Sequence, residues 1–423
     1  MPELNYVAGN GLLNRRAFLE KGIVWIGTAA ASTSVVGASV GDHAPEWMKQ
    51  SGAPFRGYGA PSPYAEFIQR AHLQPYGDMA PGSGASVTPL QDLHGIITPN
   101  GLHFERSHNG VPAIDPEQHE LIIHGLVDRA LTFSYADLLR YPSVTRTCFI
   151  ECSGNGLFNS NMVNEPMQMP VGHLHGVMST AEWTGVLLST LLDEAGIKPD
   201  AKWLLAEGAD AASMSRSIPV SKAMDDAMVA LFQNGEPVRP EQGYPMRLLL
   251  PGFEGNTHVK WLRRIKVTDV PTYTKDETSK YTELLPDGTA NIFSLTMDAK
   301  SAITRPALPH SMAGFGFYEV SGLAWSGHGS ITRVEVSADG GQSWTDAELS
   351  SPALKQCPVR FRVPWHWDGS PSQLMSRAFD DQGNTQLPRH RWSELYGAGQ
   401  LYHNNSIQAW DILPSGEIKN VFS

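Results

Sequence analysis

Near residue 292 the side-chain period of this chain changes, which excludes a single uniform fold. Beyond it, residues 331–336 (Ile-Thr-Arg-Val-Glu-Val) send side chains to opposite faces, and Asp339-Gly340-Gly341 turns the chain towards Trp344. Residues 359–367 alternate again, and residues 374–379 follow. Short strands with tight turns and no helical period predict a β-sandwich of immunoglobulin type over residues 293–423. Upstream, strands and helices mix without a regular βαβ repeat, which predicts an α+β domain over residues 94–270. The polar, irregular stretch between them, residues 271–292, reads as a linker.

Local signals fill in this outline. Residues 121–126 read as a strand, and Ser134 caps a short helix that Pro142 stops. Residues 145–150 are a β-rich run that enters a glycine-containing loop. Residues 184–195 read as an amphipathic helix, with Leu187, Leu188, Leu191 and Leu192 clustered and Gly196 at its end. Further strands are expected at 203–206, 246–250 and 259–267. The run from Ser337 to Trp344 resembles the Asp-box turn of propeller glycosidases. A propeller repeats that pattern in each blade, and here it occurs once, so it is a hairpin turn. Residues 42–93 are rich in Pro, Gly and aromatic side chains and predict an extended arm.

Arg15 and Arg16 stand just ahead of a mildly apolar stretch, residues 22–40, interrupted by Thr28, Ser32, Thr33, Ser34 and Gly37. Residues 1–41 therefore resemble a twin-arginine export leader cut near residues 37–41, which implies a periplasmic protein exported already folded. An uncleaved anchor is the alternative, since ~20 apolar residues span a bilayer; the small polar residues weaken it. With 43 acidic against 32 basic residues, the net charge of -11 argues against non-specific nucleic-acid binding. Three cysteines build no disulfide scaffold and leave at least one thiol unpaired within the chain.

The most informative segment runs from Arg146 to Gly156, where a β-run delivers Cys152 to a Ser-Gly-Asn-Gly loop. Three readings of Cys152 stand side by side: a buried inert residue, a nucleophile paired with a histidine, or a soft thiolate holding a metal or cofactor. Cys148, among apolar neighbours, suits the first. Histidines gather around this segment: His94, His103 and His108 before it, His173, His175 and His258 after it. His173 and His175 are either two ligands on one face of a strand or two polar loop residues. No HExxH or paired CxxC spacing supports zinc, and no CxxCH attaches a haem to this chain. Arg106, Arg247 and Lys260 are basic residues near these landmarks. Isolated, they are ordinary surface charges; gathered in one cleft, they would bind an anionic cofactor.

Together these segments resemble the sulfite oxidase family of molybdenum enzymes, over about residues 94–410. The resemblance rests on Arg106–His108, the Cys-x-Gly-Asn loop at Cys152–Asn155, residues 178–185, Ser217–Pro219, Gly235–Pro237, residues 243–247 and residues 258–262. In the C-terminal part it rests on residues 301–306, 324–327 and 336–341. It implies that Cys152 is the only protein ligand of molybdenum, the rest being the dithiolene of a single pterin and oxo or hydroxo groups. It also places Phe104, Arg106, Ser107, His108, Asp210, Gln242, Arg247, His258, Val259 and Lys260 around the pterin and its phosphate. Gln242 stands where the family usually has a histidine. By the same resemblance Arg106 and Cys152 are catalytic, and the sandwich is a dimerisation domain that makes this subunit a homodimer; His173 is expected, on its own chemistry, to aid proton movement near the metal.

Three departures point to one branch. The family's active-site tyrosine aligns with Leu231, an arginine pair with Gly156-Leu157, and a tryptophan with His173, so free sulfite is expected to be a poor substrate. These departures and the leader resemble the molybdenum subunit of sulfane dehydrogenases. That implies a separate c-type cytochrome subunit, a heterotetramer, and a sulfur-carrier protein whose cysteine bears the sulfane sulfur as substrate. A periplasmic sulfite dehydrogenase is the alternative on the same scaffold. A secreted binding protein with an inert Cys152 is the alternative of another class, and a zinc hydrolase is more distant.

Overall fold

The computed structural model describes residues 6–13, 45–65, 68–73, 81–350, 352–397 and 401–423. The paired arginines and the apolar stretch of the expected leader lie outside the described residues. Among the described residues no helix is long and apolar enough to cross a membrane.

Two sheets build the first half of the molecule. One orders Leu131–Ser134, Glu120–Gly125, Leu262–Thr268, Trp203–Gly208 and Ser215–Pro219; only the pairing of Leu262–Thr268 with Glu120–Gly125 is parallel. The other orders Glu236–Pro237, Met228–Gln233, Met178–Leu187 and Ser143–Glu151, with Arg247–Leu249 also on Met228–Gln233. Strand alternation explains the first sheet: Leu121 and Ile123 are buried while Ile122 between them is exposed. Ser134 starts the helix Tyr135–Leu138 through a reciprocal capping box with Asp137.

The helix expected over 184–195 is shorter. Met178–Leu187 is strand, and the helix is Leu188–Ala195, closed by Gly196 in the left-handed region. Gly185 explains the difference. A side chain there would lie 2.0 Å from the Val229 carbonyl, so this glycine serves close sheet pairing. Within the true helix, Leu188, Leu191, Leu192 and Ala195 are buried at one-face spacing and pack with Val186, Leu204 and Ile265. Full burial of each such leucine contributes roughly 1.5–3 kcal/mol.

The expected arm is not extended throughout. Gly84–Val87 pairs with Ala71–Leu73 on one side and Glu105–Ser107 on the other in a three-stranded sheet. Backbone pairing there holds Arg106 in place, across from Ala85. The stretch read as a linker is also structured. It holds the helix Lys275–Thr278, capped by Thr274 and Glu277, and the pair Glu283–Leu284 with Ala290–Asn291.

The second half is a sandwich. Lys300–Arg305, Gly316–Trp325, Val359–Trp367 and Glu348–Leu349 form one sheet. Thr345–Asp346, Ile331–Ser337, Ser372–Asp380, Gln408–Ile412 and Ile418–Phe422 form the other. Trp325, Phe361, Trp365, Trp367 and Trp410 are buried between them. The same core continues into the first half through Phe149, Val171, Leu174 and Met178, so the two halves share packing directly behind Cys152.

Candidate active site

Cys152 sits where the strand Ser143–Glu151 ends, and its loop is held by short backbone bonds. Its N–H donates to Val177 O at 2.9 Å, and its own carbonyl accepts from Asn155 N at 2.9 Å. The sulfur faces a cavity with about 680 Å³ of empty space, part of it open to solvent. That cavity brings together Phe104, Arg106, Ser107, His108, Cys152, Asp210, Gln242, Arg247, His258, Val259 and Lys260 from five separate stretches of sequence.

The walls are cationic and largely buried. Arg247 is buried, with its guanidinium donating to Gln242 O at 2.9 Å and His258 O at 3.1 Å, while its Nε has no acceptor. Lys260 donates to Ser107 Oγ at 3.2 Å and Glu241 O at 2.9 Å. Burial pulls Arg247 down to about 9, and burial with Arg247 nearby pulls Lys260 down to about 7. Two desolvated cations with neutral acceptors are costly unless an anion joins them. The orphaned Nε and this charge pattern fit the phosphate of a pterin cofactor.

The histidines of the wall are neutral. Burial holds His103, His108 and His258 each at about 3. Burial also pushes the free Cys152 thiol up, while a Gly154 backbone hydrogen bond and Arg106 pull it down. Coordination to a metal deprotonates a thiol outright, so the same sulfur suits a soft metal. Among the described residues no group of three His, Cys, Asp or Glu side chains could hold a metal ion by itself. A lone thiolate completed by the sulfurs of a pterin is the chemistry this donor set fits.

Two expectations need correction. His173 is not on this wall: it lies on the helix Val171–His175, two residues from buried His175, which faces Gln408 at 3.1 Å. Residues two apart on a helix point to different sides, so they are not a ligand pair. The site also has a tyrosine, although Leu231 lies buried in the apolar core behind Leu188 and Leu191. Tyr281 lines the cavity from the stretch read as linker, its hydroxyl 3.1 Å from His108 Nε2. Asn256, Trp261 and His103 also line it. Asn256 and Trp261 flank the His258–Lys260 motif, a proximity that could have marked them. Tyr281 carried no local signal.

The sandwich half supplies the supports of the thiol loop. Glu151, fully buried, receives Lys300 Nζ at 3.2 Å, Trp325 Nε1 at 2.6 Å and Asn155 Nδ2 at 2.8 Å. His403 N–H donates to Ser153 O at 2.8 Å, and Asn404 Nδ2 donates to Gly156 O at 3.1 Å. The His403 ring lies between Glu254 and Glu283, 3.2 Å from the first. Burial would lower His403, yet hydrogen bonds to both carboxylates hold it up at about 10. Burial would raise Glu254, yet Arg216 and His403 hold it down at about 2. Cys148 and Cys357 are buried and unbonded.

A fold of this kind, with one thiol over a cationic cavity and a sandwich behind it, defines a pterin-dependent oxidoreductase. Residues 108–275 match the family model "Oxidoreductase molybdopterin binding domain", and residues 292–410 match "Mo-co oxidoreductase dimerisation domain". The chain belongs to the sulfite oxidase family of molybdopterin enzymes. Its fold is similar to the crystal structure of the sulfane dehydrogenase SoxCD from Paracoccus pantotrophus, with TM-score 0.87 and 42% identity. That likeness covers 90% of this chain and 98% of the other. Mitochondrial sulfite oxidase of Mus musculus is 32% identical over 322 residues, and the NADH nitrate reductase of Ulva prolifera 30% identical over 358 residues. These alignments take in 69% and 74% of this chain, but only 57% and 40% of those longer proteins.

Proposed function

We propose that this protein is the molybdenum subunit of a periplasmic sulfane dehydrogenase, exported folded by the twin-arginine route. Its substrate is sulfane sulfur on the cysteine of a SoxY-like carrier, and its electrons leave through a SoxD-like c-type cytochrome subunit. The domain limits expected from sequence belong to the same proposal, with the sandwich pairing two copies. The observation that carries the reading is the Cys152 cavity with Arg106, Arg247 and Lys260 in its wall, in a chain 42% identical to SoxCD across nearly all of that structure.

Bound molybdopterin would supply oxygen-atom transfer from water, oxidising the sulfur by two electrons that leave singly to the cytochrome. The residues do the rest. Cys152 would hold the metal, and Arg247 with Lys260, Ser107 and Gln242 would hold the pterin phosphate end. Arg106 orients the anionic sulfur and stabilises charge that grows on it. His108, neutral, fixes the Tyr281 hydroxyl by hydrogen bonding.

Tyr281 favours a second reading. A phenol sharing a wall with an arginine grips small oxyanions, so oxidation of free sulfite is the rival activity. Steady-state assays of the matured protein with sulfite and with a persulfidated carrier separate the two. Greater kcat/KM on the carrier upholds the proposal, and greater kcat/KM on sulfite overturns it. Cys152→Ser matured in a pterin-competent host is expected to lose turnover with its fold intact. Full activity in that variant would remove the ligand assignment.

A further inference from the structure

The segment Tyr6–Leu13, just ahead of the paired arginines, is seated on the C-terminal sandwich. Gly9 N–H donates to Ser343 Oγ at 2.6 Å, and Asn10 Nδ2 donates to Ala338 O at 3.0 Å. In return Trp365 Nε1 donates to Asn10 O at 2.6 Å. Main-chain pairing continues on the edge of Val359–Trp367: His366 N–H donates to Gly11 O at 2.8 Å, and Leu13 N–H donates to Pro364 O at 3.0 Å. Leu12 has no exposed surface and belongs to the same core cluster as Trp365 and Trp367.

The fit leaves no room for other residues. Gly11 has φ +90, and a side chain on it would lie 1.9 Å from the His366 carbonyl. A side chain on Gly9 would lie 2.2 Å from Asp339 Oδ2. A leader needs neither glycine to be glycine for the sake of its own apolar run, which begins after Lys21. Backbone pairing on a sheet edge, with pockets for chosen side chains, is how a sheet recognises an extended peptide.

We infer that the sandwich carries a peptide groove along Val363–His366 whose occupant is Tyr6–Leu13 of the uncut chain, the segment just ahead of Arg15-Arg16 in sequence. The groove walls come from two sandwich segments, Ala338–Ser343 and Pro364–His366, so the segment docks only once that half has folded. Cutting the chain near residues 37–41 turns an intramolecular contact into a bimolecular one. Effective concentration then falls from about millimolar to that of the free peptide, and the groove opens. This second step rests on the leader reading; the docking itself does not.

The test uses the full chain, purified uncut from a host with export blocked, alongside its Gly11→Val and Leu12→Asp variants. Amide hydrogen exchange is followed by mass spectrometry. Both variants are expected to exchange faster by about tenfold or more in fragments spanning Val363–Trp367, with Gln408–Ile412 unchanged as the fold control. Equal exchange at residues 363–367 in all three chains overturns the groove. Saturable quenching of tryptophan fluorescence in the processed protein by a synthetic peptide of residues 5–13, and not by its Gly11→Val form, supports it; no response at millimolar peptide overturns it. Intact mass of the exported protein reads the leader cut separately. A retained N-terminus removes the opening step while leaving the exchange result to judge the groove.

Discussion

Replacing Lys300 with methionine strips the Glu151 carboxylate of its only cation among the described residues while keeping the volume of the side chain. Lys300 and Glu151 are 1% and 0% exposed, and Nζ lies 3.2 Å from Oε1 and 3.0 Å from Asn155 O. Removing one partner of a buried pair costs about 3–5 kcal/mol, because the remaining charge stays desolvated. Trp325 Nε1 and Asn155 Nδ2 still donate to Glu151, which places the expected loss near 3 kcal/mol. Urea unfolding followed by tryptophan fluorescence measures it. Glu151→Gln and the double variant complete a cycle, with an expected coupling of about 2 kcal/mol. Molybdenum content of the matured Lys300→Met protein is expected to fall as well, since Glu151 adjoins the thiol. A coupling below about 0.5 kcal/mol would refute the claim that the sandwich supports the Cys152 loop through this pair.

Other outcomes follow from the same geometry. His403, held up at about 10 against an ordinary 6.5, contributes stability that is fully present below 6.5 and is lost as pH rises through 10. His403→Gln is therefore expected to flatten the alkaline fall in urea midpoint between those values. Glu254, held at about 2 against an ordinary 4.5, contributes above 4.5 and loses its contribution as pH falls through 2, an acid limb that Glu254→Gln removes. Arg247→Met is expected to raise the stability of cofactor-free protein or leave it level, because an unpaired buried cation is gone, while cofactor retention on gel filtration drops at least about tenfold. Gly255→Ala puts a methyl group 2.9 Å from Glu151 O and 3.1 Å from Cys152 N, so it is expected to lower the urea midpoint by about 1–3 kcal/mol equivalent and broaden the metal site's spectroscopic signal.

Sequence alone determined what depends on near neighbours. The alternation of residues 331–336 and 359–367, the Ser134 cap and the Gly196 stop are local preferences, and the strands and helix ends appear where those preferences put them. The motif residues around Cys152 were legible for a similar reason: each sits in a short run whose order matches a family, and all but His173 meet in one cavity. Tertiary structure decided what depends on distant partners. Residues 178–187 are strand because neighbours on both sides supply backbone bonds, which no window of sequence reports. Tyr281 enters the cavity because the chain between the two halves folds back over it, and Lys300, Trp325 and His403 reach the thiol loop across 148 to 249 intervening positions. Burial of charge is a property of the assembled interior, so the stretched pKa values of Lys260, His403 and Glu254 exist only once the halves have closed on each other.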